Sequence, residues 1–126
     1  MMAERTVLLC EDNPKLGEIY TTWLGDSYAV DHVDTGDGLL ESLDQATDAV
    51  VTDWRTPGTQ RHDLLSQIAE SQFDPALVVI SGIEPRIDLA DHGVDAFLEK
   101  PFRRDALLGT LDTLLQPSAQ GDRTAV

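Results

Sequence analysis

The chain has 126 residues, 41% of them hydrophobic, and 23 Asp plus Glu against 9 Lys plus Arg, a formal net charge of −14. That length makes one ordinary domain with a single core, and no run of roughly eighteen apolar residues is present to cross a membrane as a helix. The surface has no basic stripe to neutralise phosphates, which excludes direct nucleic-acid binding.

Thr6 to Cys10 is short, apolar and bounded by polar residues, which predicts a buried strand. Asn13-Pro14 predicts a helix start, with Asn13 as N-cap and Pro14 at the first helical position. Leu16, Ile19, Tyr20, Trp23 and Leu24 follow at helical spacing, and Gly25 is the expected C-cap. Residues 28–33 alternate as a second strand, and residues 37–45 form a short helix with Leu39, Leu40 and Leu43 inward. Residues 48–52 are a third strand, followed by a loop over 54–59 with turn signals at Pro57 and Gly58. Residues 62–71 carry Leu64, Leu65 and Ile68 as a third helix, and residues 76–80 are a fourth strand. Glu84-Pro85 opens a short fourth helix to about Asp91, closed by His92-Gly93. Residues 94–98 are a fifth strand, and residues 103–115 a leucine-rich fifth helix ended by Pro117. The expected domain therefore spans residues 1–117, and the small, polar residues 118–126 form a frayed tail.

Strand and helix alternate five times with short loops. This predicts an α/β fold with a parallel sheet, helices on both faces and right-handed crossovers. In such a sheet the carboxyl ends of the strands face one crevice. Four of the five strands end there in residues able to do chemistry: Glu11-Asp12, Asp53, Ser81 and Lys100. Carboxylates at the ends of two adjacent strands demand a cation or a raised pKa, and one or two carboxylates plus waters suit Mg2+. Alternatively, Glu11-Asp12 only leads into the Asn13-Pro14 helix, where acids favour the helix dipole. Asp53 is a possible nucleophile towards phosphorus, or an ordinary loop-initiating Asx-turn residue. Ser81-Gly82 offers a hydroxyl beside a residue that leaves room for close approach, or a plain turn. Lys100 is one of only two lysines; its ammonium would neutralise phosphoryl charge in the crevice or simply sit solvated at a strand exit. Pro101 after it admits a cis bond.

Taken together and in this order, these residues resemble the receiver domain of two-component response regulators. The resemblance runs from about Thr6 to Leu115 and rests on four stretches: Leu8-Leu9-Cys10-Glu11-Asp12-Asn13, Val50 to Gly58 around Asp53, Val79-Ile80-Ser81-Gly82, and Gly93 to Phe102 around Lys100-Pro101. It implies a flavodoxin-like five-stranded parallel sheet of order 2-1-3-4-5 with five helices. It also implies Asp53 as phosphoacceptor and Mg2+ held by Asp12, Asp53 and the Arg55 backbone carbonyl, with Glu11 acting through bound water. Ser81 would bond the phosphoryl group, Lys100 would pair with it, and Phe97 would be the switch aromatic, unless it is simply a core phenylalanine. The implied donor is a histidine kinase or histidine phosphotransfer protein. The implied output surface for an effector, or for a dimer, is helix four, strand five and helix five, here with Ile87, His92, Phe97, Arg103 and Arg104. The acidic composition and Tyr20 to Leu24 are similar to haloarchaeal receivers that precede a HalX domain.

Several positions depart from the family pattern. Thr56 stands where methionine is common, Gln60-Arg61 where an Asp-Gly turn is common, and Gly82 where alanine is usual. Arg55 and Ile83 flank the route of attacking water, so an altered phosphoryl lifetime is expected. A rival reading is a pseudo-receiver that signals by contact without phosphate. A phosphohydrolase with an Asp nucleophile is excluded, because Arg55 stands where its second acid would be. A dinucleotide-binding fold is excluded by the absence of a glycine-rich loop after strand one. His32, His62 and His92 have no ligand spacing and are expected on the surface or in loops. A lone buried Cys10 and an N-terminus without a basic stretch and apolar run predict a cytoplasmic setting. The dispersed acidic residues suit a very salty cytoplasm and predict a halophilic source.

Overall fold

The computed structural model describes residues 4–55, 61–83, 85 and 87–115, and for residues 61 and 62 the backbone only. Its elements are β1 (Thr6–Cys10), α1 (Pro14–Gly25), β2 (Ala29–Val33), α2 (Gly36–Ser42), β3 (Thr47–Asp53), α3 (Arg61–Ala69), β4 (Ala76–Ser81), a 3-10 turn (Leu89–His92), β5 (Ala96–Glu99) and α4 (Arg104–Leu114). The five strands form one parallel sheet in the order β2-β1-β3-β4-β5. This is the expected doubly wound, flavodoxin-like arrangement. No helix among the described residues is long and apolar enough to cross a membrane.

Strand position explains strand composition. β1, β3 and β4 are interior and covered on both faces, so they are nearly continuous apolar runs. β2 and β5 are edges and only half-buried. Alternate residues feed two cores. Val7, Leu9, Val51, Val78 and Ile80 pack with Tyr20 and Leu24 of α1 and Leu107 and Leu111 of α4. Leu8, Cys10, Val50, Leu77 and Val79 pack with Leu39 of α2 and Leu64, Leu65 and Ile68 of α3.

The N-terminus of α1 is built as expected: the Asn13 side chain accepts from the backbone N–H groups of Lys15 and Leu16, and Pro14 opens the helix. Gly25 is the last helical residue rather than the cap. Asp26 caps instead in a right-handed conformation, which needs no glycine. α2 stops at Ser42 because Leu43 turns extended and the Asp44 carboxylate accepts from the Ala46 N–H. The fifth strand starts at Ala96 rather than at Val94, whose N–H donates to the Leu89 carbonyl of the preceding turn.

Among the described residues, the 3-10 turn Leu89–His92 stands where the fourth helix is expected, and there are four α-helices. Asp88 is extended, with φ −80° and ψ 102°, and its carboxylate accepts from the Ala90 N–H. It therefore caps a new single turn rather than continuing a helix from Pro85. Gly93, at φ 82°, closes that turn. Residues 1–3, 56–60, 84, 86 and 116–126 lie outside the described residues. With them lie the Thr56 and Gln60 departures, the turn expected at Pro57 and Gly58, the side chains of Arg61 and His62, the start of the expected fourth helix, Pro117 and the tail.

Candidate functional site

Backbone pairing sets the height of each site residue. The ladder continues one step beyond the strands: Glu11 N donates to Val33 O at 3.1 Å, Trp54 N to Ile80 O at 2.8 Å, and Lys100 N to Ser81 O at 2.7 Å. Glu11, Asp53, Ser81 and Lys100 therefore leave the sheet at the same edge. They line a cleft of about 400 Å3, together with Asp12 and Arg55. Six of the seven expected site residues are thus brought together. Phe97 is not among them. It is half-buried on β5, in register with Val79, and packs on the α3 side of the sheet.

Glu11, Asp53 and Ser81 are buried, and Asp12 is exposed at the rim. The Lys100 ammonium bridges the two buried acids, at 2.8 Å from Glu11 Oε1 and in contact with Asp53 Oδ2. The other oxygens are held by backbone: Asp53 Oδ1 accepts from Arg55 N at 2.7 Å and Glu11 Oε2 from Asn13 N at 3.1 Å. Burial pushes the Glu11 carboxyl above its ordinary value, and the hydrogen bonds from Lys100 and Asn13 only partly offset it. Burial also pulls the Lys100 ammonium down, but its bonds to Asp53 and Glu11 outweigh this and hold it above 10.5. Ser81 Oγ accepts from Ile83 N at 3.1 Å. A Cβ on Gly82 would meet nothing within 4 Å, so packing does not require glycine there. The Lys100-Pro101 peptide is cis. Phe102, next along, stacks on Tyr20 with ring centres 5.2 Å apart.

Among the described residues, no three His, Cys, Asp or Glu side chains are arranged as a ready-made metal cage. The donor set still fits a hydrated hard cation. Two buried carboxylates share one ammonium, a third carboxylate lies at the rim, and the cleft has room for several waters. Mg2+ retains most of its waters and takes one or two carboxylates, rather than a full protein cage.

Two contributors carry no sequence signal for the site. Asn13 is legible only as a helix cap, yet its N–H also holds Glu11. His32, expected as a surface residue, is exposed but places Nε2 2.9 Å from the Glu11 carbonyl oxygen. No local sequence signal marks either contact.

The family model for the response regulator receiver domain matches residues 7–112. This chain belongs to the response regulator receiver family. A protein of Haloferax volcanii is 32% identical over 114 residues, covering 90% of this chain and 20% of its own length. Transcriptional regulatory protein ResD of Bacillus subtilis is 24% identical over 121 residues, covering 93% of this chain and 50% of its own. The crystal structure of a signal receiver domain from Vibrio parahaemolyticus has the same fold, with a TM-score of 0.84 at 23% identity over 97% of this chain and 98% of that one. The chain spans a fifth to a half of the length of the two relatives.

Proposed function

We propose that this receiver domain takes a phosphoryl group on Asp53 from the phosphohistidine of a kinase or phosphotransfer protein, and that the resulting acyl phosphate is the signal. One observation supports this above all: Lys100 reaches from the end of β5 to both Glu11 and Asp53, from the ends of β1 and β3. That leaves an acidic cleft with the Lys100 ammonium already aimed at the proposed nucleophile.

An Asp53 carboxylate oxygen attacks phosphorus in line. The P–O bond forms as the P–N bond to the donor imidazole breaks, and the imidazole leaves with the electron pair. Water later attacks the same phosphorus, releasing inorganic phosphate and returning the carboxylate. Positioning and charge neutralisation do the catalytic work. Glu11, Asp12, Asp53 and the Arg55 carbonyl are the candidate holders of Mg2+, which when bound would neutralise charge on the phosphoryl oxygens. Lys100 moves its bonds from carboxylate oxygens to phosphoryl oxygens. Ser81 exchanges the Ile83 N–H for the phosphoryl group as its partner. Each charge-assisted bond contributes roughly 1.5–3 kcal/mol, and inverting a 1:99 population takes about 5.5 kcal/mol. Because both bonds replace existing ones, they supply only part of it.

Withdrawal of the Ser81 side chain frees space for Phe97 to move inward from β5. The face made by the 3-10 turn, β5 and the start of α4 then carries the signal to an effector, linked or separate, or to a second copy. It includes Ile87, His92, Phe97, Arg103 and Arg104. The setting we propose is the cytoplasm, in a halophilic source.

A small phosphodonor should label the protein only with Mg2+, and Asp53→Asn should abolish labelling. Beryllofluoride with Mg2+ should change Trp54 fluorescence in a Trp23→Phe background. Labelling that persists in Asp53→Asn would move the acceptor elsewhere. No response to either reagent would make the domain a pseudo-receiver.

A further inference from the structure

Outside the cleft, one contact reaches its acidic loop from behind. Glu11 continues the sheet edge with its N–H on Val33 O, and its carbonyl meets His32 Nε2 at 2.9 Å. A carbonyl only accepts, so Nε2 carries the proton. Both sides of the Glu11 main chain are therefore held by β2, through one backbone bond and one side-chain bond. The imidazole lies against the first turns of α1 at Gly17. A Cβ there would sit 2.3 Å from His32 Cε1 and 2.5 Å from Nε2. Gly17 is thus the opening that lets the ring reach Glu11. The cost is real, since glycine inside a helix is destabilising relative to alanine.

We infer that His32 is a positioning residue for the cation site, and that Gly17 exists in α1 to admit it. The inference rests on the Mg2+ reading given above. The His32 bond fixes the plane of the Glu11-Asp12 peptide, and with it the directions in which the two consecutive acids leave the chain. Without it, among the described residues, Glu11 itself keeps the bond from its N–H and two side-chain bonds, the first to Asn13 and the second to Lys100. The second of these must loosen when a cation or phosphoryl group arrives. A tether on the main chain does not compete with the ligand for the carboxylate oxygens.

Two substitutions remove the bond in opposite ways. His32→Ala deletes the donor. Gly17→Ala keeps the imidazole but fills its seat, and its gain in helix propensity offsets part of the cost of displacing the ring. Calorimetric titration of each folded protein with Mg2+ alone should show about tenfold weaker binding in both variants, the scale of outer-shell effects on metal sites. His32→Gln, which keeps a nitrogen donor, should recover much of the loss. Nitrogen NMR of the metal-free protein should find His32 protonated on Nε2 in the wild type. Mg2+ affinity unchanged in either alanine variant overturns the inference alone. A wild type that does not bind Mg2+ overturns the cation reading, and the inference with it.

Discussion

The Lys100 ammonium lies 2.8 Å from Glu11 Oε1, yet Glu11 is held above its ordinary pKa of 4.5. Burial dominates the pairing, and the neighbouring Asp53 charge adds to it. The folded state therefore binds a proton more readily than the unfolded chain, and this carboxyl's contribution to stability falls as pH rises from below 4.5 through its raised folded value. In metal-free protein at pH near 7, Glu11→Gln should raise the thermal midpoint, since glutamine still accepts from Lys100 without carrying charge. The advantage should vanish below about pH 4, where both side chains are neutral. Melts across that range in a chelator check it, and equal midpoints at neutral pH refute it.

Tyr28 ties the end of α1 to α4: its hydroxyl donates to Asp112 Oδ1 at 2.6 Å. Burial and the Asp112 partner push the phenol up from 10.0. Tyr28→Phe should cost about 1.5 kcal/mol at neutral pH, the lower end for a bond to a charged acceptor because Asp112 is exposed. The unfolded phenol ionises first, so the wild type's margin should shrink as pH climbs above 10. Denaturant melts at neutral and alkaline pH measure both effects. A margin that does not change with pH would show that Tyr28 ionises alike in both states.

The sheet and the chemistry at its edge are legible in the sequence for a shared reason. Interior parallel strands are short apolar runs, and the polar residue after each run lies at the carboxyl edge. β1 is readable to the residue because polar neighbours bound it on both sides. Glu11, Asp53, Ser81 and Lys100 need only strand order to bring them together. The fourth helix is not legible, because Pro85 signals a helix start while the competing signal is the carboxylate of Asp88 on the Ala90 N–H. The start of β5 is obscured because Val94 is apolar but serves the 3-10 turn. Asn13 and His32 are hidden for another reason: their contacts with Glu11 use backbone groups, which carry no residue-specific signature. For His32 the partner is also 21 positions away.

Ile83 is 44% exposed and lines the cleft next to the Ser81-Gly82 turn. On the proposed chemistry, it flanks the path of water to a phosphoryl group on Asp53. Arg55 is exposed beside it and gives its N–H to Asp53 Oδ1. Truncating either side chain should admit water and speed loss of the phosphoryl group severalfold. Ile83→Ala should leave the Ile83 N–H on Ser81 Oγ intact, so labelling itself should be unchanged. Decay after labelling measures the effect. Unchanged decay in Ile83→Ala and Arg55→Ala would show that neither side chain controls the approach of water.

Nine cations cannot neutralise 23 acidic groups, and two of the cations are already committed: Lys100 inside the cleft and Arg104 to Asp26. The remaining acids are spread along the chain rather than gathered in a tail, so their repulsion acts on the whole folded surface. Folding concentrates this charge, and unfolding relieves it. Salt removes the penalty as the Debye length shrinks to ~3 Å at 1 M. The unfolding midpoint should therefore climb steadily from roughly 0.1 to 3 M KCl, with most of the gain below 1 M, where screening changes fastest. Continued gain above that point would report exclusion of salt from the protein surface rather than screening. Comparing KCl with equal concentrations of a neutral osmolyte separates the two. A midpoint that stays flat across the KCl series refutes the salt-adapted reading.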